Sequence, residues 1–334
     1  MLQSYRFGSM ELKTMWKAFY CGNRYLFPYQ SYEYNQVSYR CFRFQTHRLN
    51  EKYFFYVYYQ DKKPKLIMPL MLKQKKLYIF GDFESVGALD FIYPEEVSPG
   101  DFAEAFTELR KIHTEELCIN KLNIRSKLYD FLLLQGQEKL VNLRQTRSQT
   151  CVKIMFNDYD SYYNSLTKSN RQNLRTAYNR LEKDGLSWKL AVDRKIRLHS
   201  KSYQDEFAIY VKRESERDNE SRGFFSKLRL KYTDPVTVAL RNMDNSYDFK
   251  FYIEKDLAAF MLGFESESKE VIIPKLAIDS NFSKYSPGKL MINEAVKFLI
   301  NNSNIRTLDL SKGSEKYKYD MGGEEHINSD FVVS

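Results

Sequence analysis

The chain has 334 residues, 43% of them hydrophobic and 16% aromatic, with no long Gly, Ser or Pro tract. This excludes a disordered tail, and the length exceeds what one core usually carries, so two domains are expected. The formal charge of +9 favours anionic partners such as a phosphorylated cofactor, nucleic acid, or an acidic glycan or membrane surface.

The longest nearly continuous apolar run, 66–72, is too short to cross a bilayer, and the N-terminal segment lacks the apolar stretch of a secretion signal. A soluble, cytoplasmic protein is the expectation. Cys21, Cys41, Cys118 and Cys151 are scattered without C-x-x-C spacing, as are His47, His113, His199 and His326. Neither disulfides nor a metal site is therefore expected.

In chain order, YFFYVYYQDKKPKLIMPLML (53–72) reads as a hairpin turning across 60–64. A strand at 77–80, a loop through Gly87 and Asp90, a helix over 101–115 and the strand CINKLNI (118–124) follow. A helical section spans 158–232, with Leu174, Ala177, Tyr178 and Leu181 at helical spacing before Gly185. Further helices are expected over 197–213 and 224–231. From Pro235 onward the earlier order returns: a hairpin over 249–265 turning at 254–256, the strand VIIPKLAID (271–279), a helix over 287–302 and the strand TLDLS (307–311). The repetition predicts a duplicated α/β (α+β) unit, divided as 1–147 and 148–334; the alternative is two unrelated mixed domains, because this order of elements is common.

Three segments can carry chemistry. At 281–300, Ser286 is a natural N-cap and Pro287 suits the first helical position. Gly288 admits a close approach to the backbone, and a helix start at a strand's carboxyl end suits a phosphate. At 308–326, Asp309, Glu315, Tyr317, Lys318 and Tyr319 crowd the loop after a strand; they read either as a solvated loop with packed tyrosines or as a proton donor and a cation beside a reacting carbonyl. Lys168, Arg171 and Arg175 share a helical face, which is either solvated surface or a site for phosphate, acidic sugar or RNA backbone.

Together these segments resemble the GNAT acetyltransferases associated with cellulose and other polysaccharide biosynthesis in bacteria, similar in fold to the Fem aminoacyl-transferases. The resemblance rests on Tyr285-Ser286-Pro287-Gly288, on the pattern D-x-x-x-G-x-E-x-Y-K at Asp309, Gly313, Glu315, Tyr317 and Lys318, on the basic helix LTKSNRQNLRTAYNRLEKDG, and on PLML with GDFESVGALDF in the first half. It departs from the usual pyrophosphate loop, since Gly288 is the only glycine between Asn281 and Leu290.

The resemblance implies a tandem GNAT-like fold and transfer of an acyl group, foremost acetyl from acetyl-CoA, to an amine of a sugar, nucleotide sugar or other cell-surface glycan precursor. Strands 257–265 and 271–279 are expected to splay around the pantetheine, with cofactor contacts from Leu276, Ala277 and Ile278. Tyr285, Ser286, Pro287, Gly288 and Lys289 would take the pyrophosphate, and an N–H of Leu262 or Gly263 the oxyanion. Asp279 or Glu265 would act as base, Tyr317 or Tyr319 as acid to the thiolate, and Lys318 as the group orienting the acceptor. Lys168, Arg171, Arg175, Asp309 and Glu315 are the expected substrate contacts.

Two rivals are an aminoacyl-tRNA-dependent transferase acting on a peptidoglycan precursor, and a non-catalytic protein that binds nucleic acid or acidic glycan on a degenerate acyltransferase fold. No DNA partner is expected.

Overall fold

A computed structural model describes residues 1–43, 50–82, 86–138, 143–194, 201–218, 232 and 234–334. The expected helix over 224–231 and the start of the one over 197–213 lie outside the described residues. The chain forms two compact units. Unit 1 comprises Met1–Thr150, Ser266–Ser268 and His326–Ser334, and unit 2 comprises Cys151–Glu265 and Lys269–Glu325.

Unit 1 runs β1 (Leu2–Tyr5), α1 (Met10–Cys21), α2 (Tyr32–Arg43), β2 (Lys52–Gln60), β3 (Lys63–Lys73), β4 (Lys76–Ile79), α3 (Pro99–Arg110), β5 (Glu116–Asn123) and α4 (Lys127–Glu138). The β2–β3 turn places Asp61 and Lys62 at φ 49° and 62°, the pair of left-handed residues that a two-residue hairpin demands. Strands β2, β3 and β4 are antiparallel, and β4 then runs parallel to β5.

Unit 2 repeats this order. After β6 (Leu143–Met155), α5 (Tyr159–Ser165) and α6 (Lys168–Lys183) come β7 (Trp188–Asp193), α7 (Lys201–Asp218), α8 (Pro235–Asn242), β8 (Ser246–Ile253), β9 (Asp256–Glu265), β10 (Glu270–Ile278), α9 (Pro287–Asn302), β11 (Thr307–Lys312) and α10 (Lys316–Asp320). Strands β7 to β10 are antiparallel, and β10 runs parallel to β11. Helices α7 and α8 pack on one face of β8–β10 and α9 on the other. Strand β9 is accordingly apolar almost throughout and does not alternate, because both its faces are covered. Along α9, Leu290, Met291, Val296 and Leu299 are fully buried, worth about 1.5–3 kcal/mol apiece.

The structure departs from the sequence reading in three places. The section 158–232 is not helical throughout, because Trp188–Asp193 pairs with β8 as an edge strand. The helix expected over 158–184 is two helices, since Leu166 takes an extended conformation and Thr167 starts a new helix by accepting from the Asn170 N–H. A cut at 147/148 would leave β12 (Glu324–Val333) in the second half, yet it pairs with β5 (Asn328↔Asn123, Val333↔Leu117), which puts 326–334 in unit 1. Among the described residues no helix is long and apolar enough to cross a membrane.

Candidate functional site

In unit 2 the parallel strands β10 and β11 pair only through Glu270↔Thr307, Val271↔Leu308 and Ile272↔Asp309. An irregularity at Ile273 and Pro274 follows, after which β10 keeps to β9 from Lys275↔Leu262 to Ile278↔Ala259. The Asp279 N–H bonds the Ala258 carbonyl at 2.9 Å. Backbone groups alternate along a strand, so Ala277 and Lys275 also point to β9, while Leu276 and Ile278 point to the side that β11 has left. The divergence thus lies between β10 and β11. Segments 257–265 and 271–279 stay paired, and the backbone of Leu262 and Gly263 is held between β8 and β10 and not offered to a ligand.

Unit 1 has the same short parallel pairing, Lys76↔Glu116 to Tyr78↔Cys118. There the chain fills the space beyond it. The Leu89 N–H donates to the Lys121 carbonyl at 3.1 Å, and Gln30 and Asn328 donate to the carbonyls of Ala88 and Gly87.

At the end of β10 a 3₁₀ turn, Ser280–Tyr285, leads into α9. Ser286 occupies the N-cap position, but with φ 52° and ψ 49° its side chain makes no capping bond. The N–H groups of Lys289 and Leu290 already reach the Ser286 carbonyl at 3.0 and 3.3 Å, and Pro287 has no N–H to give. The close approach that Gly288 permits is made by Ile278, whose Cδ1 would lie 2.5 Å from an added Cβ. Tyr285 donates to Asp184 at 2.7 Å, and Lys289 reaches Asp320 at 2.7 Å.

The loop after β11 is pinned by its own side chains and carbonyls. Buried Asp309 accepts from the Ser311 N–H at 2.7 Å. Lys318 is 2% exposed, and its Nζ donates to the carbonyls of Ser311, Lys312 and Gly313 at 3.2, 2.8 and 3.2 Å and meets Glu315 at 3.1 Å. Gly313 has φ 110°, and the Glu315 carboxylate lies where a Cβ would stand. The motif that suggested a substrate site is therefore a lysine-pinned loop, and Lys318 is not open to an acceptor. Burial, with Glu315 nearby, pushes the Tyr317 phenol up to about 12, and a hydrogen bond to Glu325 raises that of Tyr319. Both keep their protons at neutral pH.

The two expected bases are ion-paired and far apart. Asp279 caps the 3₁₀ turn through the Asn281 N–H and meets Lys212 at 3.1 Å. Glu265 pairs with Arg194 at 3.0 Å and Lys269 at 3.2 Å, and it sits opposite Val271. Seven residues of extended β10 separate that position from Ile278, roughly 20 Å, so Glu265 is not brought to the divergence. On α6, Lys168 is exposed, but Arg171 donates to the carbonyls of Asn164 and Leu166 and Arg175 to the Tyr163 hydroxyl. Those two arginines fasten α5 to α6.

What sequence reasoning missed lies on the α7/α8 face of the sheet. Cross-strand pairing puts Asp193, Asp248, Leu262 and Lys275 in one row over β7, β8, β9 and β10. Lys250 meets Asp193 at 2.6 Å, Asp248 at 3.0 Å and Glu206 at 3.8 Å. Lys275 meets Asp234 at 2.9 Å and Thr237 at 2.6 Å, and lies 4.6 Å from the Tyr210 ring centre. Burial pushes the Asp248 carboxyl up to about 6, although Lys250 pulls it down. Burial opposes the charge on Lys275, but Asp234 and Tyr210 outweigh it and leave the ammonium above its usual range. A pocket here is lined by Tyr203, Glu206, Phe207, Tyr210, Phe260 and Lys275, among others. The signal was present in SYDFKFYI and EVIIPKLAI, where charges interrupt strands that are otherwise buried.

The sequence matches the family described as "Acetyltransferase (GNAT) domain" over residues 168–319. A search of curated proteins returned no match. Among solved structures, FemX aligns with TM-score 0.65 at 11% identity, covering 99% of this chain and 96% of that one. L-PGS from Bacillus licheniformis aligns with TM-score 0.54 at 10% identity, covering 97% and 91%. A tandem GNAT protein from the clavulanic acid biosynthesis pathway aligns with TM-score 0.53 at 8% identity, covering 100% and 98%. Residues 168–319 thus carry an acetyltransferase (GNAT) domain, and the two units with their repeated order of elements share the fold of FemX and of the tandem GNAT protein.

Proposed function

We propose that the chain transfers an acyl group from an acyl-CoA, foremost acetyl-CoA, to a primary amine, and that the donor lies in the β10/β11 divergence of unit 2. The observation carrying this is the contrast between the units: the edge of β10 at Leu276 and Ile278 has no strand beside it among the described residues, whereas the chain fills the matching space in unit 1. A pantetheine arm is a peptide-like strand with amides of its own, and such an edge can pair with it. Acyl-CoA would supply the activated thioester. The N–H groups of Leu276 and Ile278 are the backbone donors turned toward a carbonyl lying in the divergence, in place of Leu262 or Gly263. The N-terminal turn of α9 faces the same end, and because Lys289 and Leu290 already bond Ser286 it would meet a pyrophosphate with the Gly288 N–H and the helix dipole. Tyr317 and Tyr319, both protonated at neutral pH, can protonate a departing thiolate.

An acceptor drawn from amino sugars, nucleotide sugars or glycan precursors rests on the resemblance to polysaccharide-associated acetyltransferases. A cytoplasmic site of action follows from the donor. The test is thermal unfolding with acetyl-CoA, coenzyme A and longer acyl-CoAs, where a ligand at about 100 times its dissociation constant adds roughly 2.7 kcal/mol. Gly288→Ala adds only the Cβ that meets Ile278, and Gly288→Asp adds a negative charge as well. The expected outcome is a ligand shift in wild type and Gly288→Ala that disappears in Gly288→Asp. The absence of a shift with every acyl-CoA overturns the acyl-CoA donor and favours an aminoacyl-tRNA donor or the non-catalytic reading.

A further inference from the structure

Unit 1 carries a cleft of about 480 Å³, lined by Phe7 and Gly8 between β1 and α1 and by Gln36, Tyr39, Arg40 and Arg43 on α2. That volume lies in the range of small-molecule sites, about 300–1,000 Å³. The α2 residues follow three-and-four spacing and share one helical face, which sets the Cβ atoms of Arg40 and Arg43 roughly 5–6 Å apart.

One wall of the cleft is held from behind. The half-buried Phe7 ring packs on Phe55 at 4.7 Å, Tyr32 at 5.4 Å and Trp16 at 6.2 Å, all three buried, and lies 4.7 Å from the Tyr39 ring. The cations on the other side are uncompensated. Arg40 and Arg43 are exposed, and neither has an ion pair or hydrogen bond among the described residues. Glu33, the one acidic residue of α2, pairs with Lys17. Both arginines stand in the last turn of α2, whose negative pole offsets about half a charge. Roughly one and a half positive charges are left over. A single carboxylate does not balance them, whereas a phosphate monoester, at about −1.5 to −2 near pH 7, does. The planar guanidinium fork also matches phosphate oxygens two at a time.

We propose that this cleft binds a phosphate monoester whose body is a ring. Arg40 and Arg43 hold the phosphate, the ring of the ester lies against Tyr39 and Phe7, and the Gln36 amide, both donor and acceptor, meets its polar groups. A sugar phosphate and a nucleoside monophosphate share this chemistry. The site belongs to unit 1 and does not depend on the acyl donor proposed for unit 2.

The test is calorimetric binding to the full chain of glucose 1-phosphate and adenosine 5′-monophosphate. Inorganic phosphate, glucose, adenosine and glucuronate serve as controls, the last having the sugar ring with a single carboxylate. At least one ester is expected to bind, at least tenfold more tightly than any control, and the tighter of the two identifies the body. Arg40→Gln with Arg43→Gln should weaken that ester at least tenfold. Arg40→Lys with Arg43→Lys, which keeps the charge and loses the fork, should weaken it about threefold to tenfold. A purely structural role at the end of α2 would move stability and leave affinity alone, and a single cooperative urea transition shows that each variant is folded. No binding of either ester by wild type, affinity unchanged in the double glutamine variant, or glucuronate binding as tightly as the esters overturns the proposal. Inorganic phosphate binding as tightly as the esters overturns the role of the rings.

Discussion

Lys318 looked in the sequence like a group for an acceptor, because Y-K beside a glycine and a glutamate is a pattern of side-chain types. Its role depends on where its Nζ ends up, which is among three carbonyls and a carboxylate. Lys318→Met would leave these carbonyls without their donor, at a cost of roughly 2–4 kcal/mol, measurable as a lower urea midpoint. Asp90 shows the converse, a group that the sequence placed in a loop without a role. It is buried, accepts from the Phe91 N–H at 2.7 Å and the Tyr93 hydroxyl at 2.8 Å, and burial still pushes its carboxyl up to about 7. The folded chain therefore holds this proton more tightly than the unfolded chain does. Asp90 costs nothing below about pH 4 and costs progressively more as pH rises to about 7, a penalty of the order of 4 kcal/mol. Asp90→Asn should gain on wild type between pH 4.5 and pH 7.5 in denaturant midpoints taken at both.

Hairpins and capped helices were legible because their signals are local: two left-handed residues at Asp61 and Lys62, and Pro287 at the start of α9. Strands that form by distant pairing were not. The first half of β6 is exposed and polar, β7 is a partly exposed edge, and β12 begins Glu-Glu-His, so none carries a clear period of two. The irregularity in β10 was also invisible, although Gly263 marks it from the other side. An added Cβ there would lie 2.7 Å from Ile273 Cδ1, 2.8 Å from the Ile272 carbonyl and 2.9 Å from Val271 Cγ1. The carbonyl is main chain and cannot turn away. Gly263→Ala should therefore cost about 1–3 kcal/mol, and because β10 forms one wall of the divergence, the acetyl-CoA response should weaken with it. Gly288→Ala, which meets only the Ile278 side chain and no main-chain atom, should be milder.

The duplication was visible as an order of elements, but the exchange at its ends was not, because β12 pairs with β5, a strand of the first unit about two hundred residues earlier in the chain. Phe331 and Val333 are fully buried against that first unit. Deleting 326–334 should therefore loosen β5, seen as faster amide exchange at 116–123, although the deletion lies wholly at the other end of the chain. The same feature sets a timetable during synthesis. Residue 326 is made 176 positions after residue 150, which at about 5–20 residues per second is a wait of roughly 10–35 s. Through that interval β5 has an open edge able to pair with any passing strand, so the first part of the chain to be made is among the last to be finished, and it is there that a chaperone would be needed most.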